Sequence, residues 1–153
     1  MQPVDCPVPA ATPASLQRFV SAQVADYERA LGELATGRKR SHWMWYVLPQ
    51  LRGLGSSALA HKYGLADAHE AMAYAAHPLL GPRLVACVQQ VLALAGTDPV
   101  AIFGAVDAMK FQSCLTLFAA VCPQQPVFAQ ALQAFYQGRA DAKTLALLKT
   151  MTP

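Results

Sequence analysis

The chain has 153 residues, 54% of them hydrophobic and 14% charged, a balance that excludes general disorder and demands a large apolar interior under a thinly charged surface. A chain of this length buries roughly 68–70% of its unfolded surface around one core and is short for two. Twelve Lys and Arg against nine Asp and Glu leave a net charge of +3, too small for a nucleic-acid footprint unless the bases gather on one face.

Residues 1–14 hold four of the eleven prolines and little that could pack, which predicts a flexible tail ahead of a single helical domain over 15–150. No basic and apolar leader opens the chain, and no apolar run approaches the ~18 residues of a membrane span. A cytoplasmic protein without membrane contact is expected.

From Ser15 onward Leu16, Phe19, Val20, Val24, Tyr27, Leu31 and Leu34 recur at helical steps, and the pattern stops at Thr36 and Gly37. Later segments repeat the grammar of a capping residue, an apolar period, and a Gly or Pro stop. Ser41 is expected to cap "HWMWYVL" ahead of Pro49, Ser56 a helix through Tyr63, and Asp67 a helix that His77 closes before Pro78. Pro78 suits an early position of the next helix, which runs to Gly96, and Asp98 with Pro99 opens a short turn. "VDAMKFQSCLTLFAAV" is expected to send Val106, Met109, Leu117 and Phe118 to the core. Pro126 starts a helix that Gly138 stops, and Asp141 caps the last one. No period-two alternation and no Asn-Gly or Asp-Gly hairpin occurs. The predicted fold is all-α, about eight short helices in an irregular orthogonal bundle.

The cysteines Cys6, Cys87, Cys114 and Cys122 form no C-x-x-C pair, and three fall in apolar stretches where a thiol behaves as a small hydrophobe. All four read as reduced and structural. His61, His69 and His77 recur at intervals of eight without the convergence or company a metal needs, so neither a metal site nor a cofactor is expected.

The stretch "GRKRSHWMWYVLPQLRGLGSS", residues 37–57, concentrates the chemistry. Helix N-termini attract anions through unpaired N–H groups and the macrodipole. Two such ends are predicted here: one at Lys39 and Ser41, the other at Arg52, Gly55 and Ser56. His42, Trp43, Trp45, Tyr46 and Gln50 stand between them, an aromatic wall beside an anion site. Asp107, Lys110 and Ser113 share one face of a later helix. Lys110 and Ser113 either complete the pocket or form a local Asp–Lys pair with a back-bonding hydroxyl.

On these residues the favoured reading is a small anionic, phosphate-bearing ligand bound by Lys39, Ser41, Trp43, Trp45, Gln50, Arg52, Gly55, Ser56, Lys110 and Ser113. His42 is then the nearby general acid or base if there is turnover. A second reading uses Arg38–Arg40 to engage RNA or an acidic protein, although the small net charge disfavours nucleic acid. A third makes the stretch core and nothing more.

The succession "SHWMW", "PQ" and "GLGSS", followed by "YGLADAHEAMAYAAHPLLGPRL" and "GAVDAMKFQSCLTLFA", resembles the bacterial family catalogued as domain of unknown function 1810, over about residues 16–149. The resemblance implies a mainly α-helical domain and carries no agreed reaction or cofactor. Some members bear the label calpastatin. A calpain inhibitor of that kind is a disordered, polar, repetitive chain, which this composition contradicts.

Overall fold

The computed structural model describes residues 14–151. The expected tail over 1–14, Ala14 apart, lies outside them. A single 3-10 turn leads into nine α-helices among the described residues, with no strand, so the all-α expectation holds with one helix more than the sequence suggested. The helices are α1 Gln17–Ala35, α2 Met44–Val47, α3 Ala58–Tyr63, α4 Ala68–Ala76, α5 Leu80–Leu92, α6 Pro99–Phe103, α7 Ala105–Val121, α8 Val127–Tyr136 and α9 Ala142–Met151.

Helix α7 is the centre. Phe111, Ser113, Cys114, Leu115, Thr116, Leu117 and Phe118 are all buried, and a helix apolar on nearly every side must be surrounded. It touches α4, α6, α8 and α9, while α1 lies on α5 and α2. Leu117 and Phe118 reach the core as expected. Val106 and Met109 do not: they are 67% and 69% exposed, on an uncovered face of α7, while Ala108 and Phe111 in the same turns are buried.

Along α1 the buried positions are Phe19, Gln23, Tyr27, Ala30 and Leu34, a helical stripe that Gln23 joins and Val24, which is exposed, does not. A hydropathy pattern cannot anticipate that exchange. The Gln23 amide donates to the Tyr46 carbonyl and the Tyr74 hydroxyl and accepts from Arg83, so a buried polar group is fully partnered and joins α1 to α2, α4 and α5.

Local capping explains most boundaries. Asp67 accepts from Glu70 N–H, Asp98 from Val100 N–H, and Asp141 from Thr144 N–H, each at the helix start the sequence assigns it. His77 ends α4, and its Nδ1 also accepts from the N–H groups of Leu79 and Leu80 at the start of α5. Burial lowers its pKa, which suits an acceptor that must stay neutral. Two caps differ from expectation. Ser57 rather than Ser56 caps α3, accepting from Ala60 N–H. Ser41 caps nothing, since α2 begins only at Met44 with Trp43 ahead of it.

Gly81, in the first turn of α5, is required by a close approach: a Cβ there would stand 2.2 Å from the Ala75 carbonyl oxygen. Gly81→Ala should therefore force α4 and α5 apart and cost about 1–3 kcal/mol, readable as a lower denaturant midpoint with an unchanged m-value.

Cys87 and Cys114 are free and buried, and burial pushes the Cys87 thiol up to about 12, so both are inert packing groups. Cys122 is buried but disulfide-bonded, which corrects the expectation of a reduced thiol at that position. Cys6 lies outside the described residues. Among those residues no helix is long and apolar enough to cross a membrane, and no group of three or more His, Cys, Asp or Glu could hold a metal ion.

Candidate functional site

The stretch 37–57 divides into three parts. Gly37, at φ +87°, ends α1 in the left-handed region that glycine tolerates and folds the chain back along the helix. The returning loop closes on Glu33. Its carboxylate accepts from Arg40 N–H at 2.7 Å, Ser41 N–H at 3.0 Å, the Ser41 hydroxyl at 2.6 Å and the Trp43 indole N–H at 2.8 Å. Burial alone would raise the Glu33 pKa, but these four hydrogen bonds outweigh it and hold the carboxyl at about 2. The first anion-attracting end read from the sequence exists, and the anion in it belongs to the protein.

Lys39 is turned inward as well. Its ammonium lies 2.8 Å from Asp107 Oδ2, donates to the Ser41 carbonyl and sits 5.1 Å from the centre of the Trp43 ring. The basic triplet thus presents two exposed arginines, Arg38 and Arg40, around a shallow depression, and not three cations.

The second part is core. Trp43, Met44, Val47, Leu48 and Leu51 are buried, Trp43 completely, with its indole N–H spent on Glu33. Tyr46 is half-buried; its hydroxyl donates to Asp26, and burial together with that carboxylate raises its pKa well above the usual value.

The third part opens onto a cleft of about 190 Å³. Trp45, Gln50, Leu54 and Gly55 form one wall; Val106, Met109, Lys110 and Ser113 of α7 form the other; Asp141 and Lys143, at the start of α9, close one side. The Lys110 ammonium stands 3.4 Å from the centre of the Trp45 ring and 3.5 Å from Asp107 Oδ1. A cation on an indole face is attracted by the ring quadrupole, so Lys110 is held at the cleft rather than left to wander in solvent. Asp107 is shared between Lys39 and Lys110, which leaves one positive charge in excess at this point. The Asp141 carboxylate is committed to capping α9 through the Thr144 N–H and hydroxyl. Ser113 donates its hydroxyl proton to the Met109 carbonyl, so it offers the cleft lone pairs and no spare proton.

The structure therefore brings together Trp45, Gln50, Gly55, Lys110 and Ser113, and places the other named residues elsewhere. Lys39, Ser41 and Trp43 belong to the Glu33 loop and the ion pair behind it. His42 is exposed and does not line the cleft. Arg52 is exposed and donates to the His61 carbonyl at 3.0 Å, and Ser56 is exposed one residue before the α3 cap. Sequence reasoning missed Leu54, Val106, Met109, Asp141 and Lys143 as cleft residues. Asp141 was visible as a cap, and Val106 and Met109 as apolar members of the polar row's own helix; Lys143 carried no signal.

The fold recurs in the crystal structure of the conserved hypothetical protein Rv1873 from Mycobacterium tuberculosis, to which this chain is 47% identical. The match covers 88% of this chain and 96% of that one, with a TM-score of 0.87. No curated protein matches the sequence. The model of the family described as protein of unknown function (DUF1810) matches residues 13–148, nearly the whole helical region, and the chain belongs to that family.

Proposed function

We propose that the cleft between Trp45 and the first turns of α7 binds a small anionic molecule. The observation that carries this reading is the Lys110 ammonium, fixed against the Trp45 ring at the cleft with only a shared carboxylate as counter-charge. Lys143 and the Gln50 amide line the same cleft and offer further donors. The aromatic ring and the adjoining apolar side chains provide the low-dielectric wall that strengthens a charge-assisted hydrogen bond.

Binding is the extent of the proposal. The cleft lining contains no histidine, and the Ser113 proton is held on a backbone carbonyl, so its residues supply neither an imidazole acid–base group nor an activated nucleophile. Lys110→Ala removes the cation, together with its contacts to Trp45 and Asp107. It should weaken a small anion by about 10–100-fold, as expected for one charge-assisted hydrogen bond, and lower the melting temperature of the ligand-free protein by no more than about 4 °C, the cost of about 1 kcal/mol of lost contact with Trp45 and Asp107. Calorimetric titration of wild type and variant with acetate, inorganic phosphate and small carboxylates measures this. Equal affinity in the two proteins would remove Lys110 from the site.

A further inference from the structure

The ligand chemistry of this cleft can be narrowed, on the footing that it binds an anion at all. We infer that its ligand is an amphipathic monoanion, a small carboxylate carrying an apolar body of roughly the bulk of a phenyl ring or a five-carbon chain.

Charge sets the first limit. Lys39 and Lys110 face Asp107, so two cations meet one carboxylate. At the far side Lys143 stands with Asp141, one against one. The surplus is a single positive charge. A monoanion neutralises it, whereas a pyrophosphate or a dicarboxylate would set an uncompensated charge close to Asp107 and Asp141, a like-charge contact with a marked cost.

The walls set the second. Val106 and Met109, one turn apart on α7, are 67% and 69% exposed and line the cleft with Leu54 and the half-buried Trp45. Single exposed apolar residues are ordinary, but these share one concavity with a fixed cation. A nucleotide or sugar phosphate, hydroxylated all round, would bury part of its polar surface against Leu54, Val106 and Met109, which cannot pair with it. A hydrocarbon body covers those side chains and removes their surface from water.

Size sets the third. About 190 Å³ lies below the roughly 300–1,000 Å³ of sites for drug-sized ligands, which is too small to enclose a dinucleotide and suits an acid of six to nine heavy atoms at roughly 30 Å³ or less for each.

The test is a calorimetric series on the full chain with acetate, butyrate, hexanoate, benzoate and inorganic phosphate, repeated on Val106→Ser/Met109→Ser and on Lys110→Ala. Affinity should rise by about fourfold per methylene from acetate to hexanoate, and benzoate should exceed phosphate by at least about tenfold. The double serine variant, altered only at exposed positions, should keep its melting temperature and flatten the series. If phosphate and acetate bind as tightly as hexanoate, or the series is as steep in the serine variant, the amphipathic assignment is overturned and the anion reading stands. If no acid and no phosphate binds, or binding is unchanged in Lys110→Ala, the anion reading falls and this inference falls with it.

Discussion

Glu70→Ala is expected to destabilise the protein by about 3–5 kcal/mol, the cost of leaving one member of a buried ion pair without its partner. At roughly 2–4 °C per kcal/mol for a chain of this size, the melting temperature falls by roughly 6–20 °C. Arg18 and Glu70 retain 16% and 9% side-chain exposure, and both are completely engaged. The guanidinium donates to both Glu70 oxygens at 3.1 Å and to the carbonyls of Ser15, Lys62 and Gly64, and it lies 4.4 Å from the Phe19 ring centre. The carboxylate accepts in addition from the Ser15 hydroxyl and Ala66 N–H. One pair thus fastens the start of α1 to the turn between α3 and α4. Burial would raise the Glu70 pKa, but the hydrogen bonds from Arg18, Ser15 and Ala66 lower it overall. An Arg18→Met/Glu70→Leu protein should recover only part of the lost stability, because it removes the unpaired charge but leaves the Lys62 and Gly64 carbonyls and the Ala66 N–H without these partners. A chemical denaturation series on the single and double variants checks both statements.

The second large effect concerns Glu33. Glu33→Ala leaves the N–H groups of Arg40 and Ser41 and the Trp43 indole without their acceptor and is expected to cost about 2–3 kcal/mol, after discounting a partly exposed site. The pH dependence follows from the sign of the shift. The carboxyl is depressed from 4.5 in the unfolded chain to about 2 in the folded one, so the unfolded state binds the proton more readily. The stabilisation is present in full above about pH 5, and it drains away as the pH falls through the interval between about 4.5 and 2. Glu33→Gln should be less stable than wild type at pH 7 and should lose part of the acid sensitivity between pH 5 and 3. A wild-type and Glu33→Gln pair with parallel stability–pH curves would contradict the role assigned to this carboxylate.

How much of this was legible in the sequence depends on whether the signal is local. The period of α1, its stop at Gly37 and the caps Asp67, Asp98 and Asp141 depend on residues within one or two turns, and the structure agrees with them. So did the Asp107–Lys110 pair and the back-bonding Ser113, which are helix neighbours by spacing. What failed was non-local. Nothing in the spacing of Glu33, on the flank of α1, shows that a chain turning at Gly37 will bring Ser41, eight residues after Glu33, back to its carboxylate.

That single contact redirected the expected site. An anion-seeking loop was legible in "GRKRSHW", and the carboxylate that satisfies it was not. Trp43 and Trp45, two positions apart, separated for the same reason: a four-residue helix rotates one indole into the core and leaves the other at the cleft. Ser56 and Ser57 are equivalent to any capping rule, and only the backbone conformation distinguishes the cap. The exposure of Val106 and Met109 depends on which face of α7 the neighbouring helices cover, which periodicity does not encode.

The separation of the two indoles also supplies the most direct test of the account. In a ¹H–¹⁵N correlation spectrum each tryptophan gives one indole N–H signal, so the two sites report independently. During titration with benzoate the account predicts that the Trp45 indole signal shifts together with the amides of Gly55, Lys110 and Ser113. The Trp43 indole, hydrogen-bonded to Glu33, stays in place, and the whole response is lost in Lys110→Ala. Shifts confined to Trp43 and residues 38–42 with the cleft silent, or no shift anywhere with benzoate or phosphate, would contradict it.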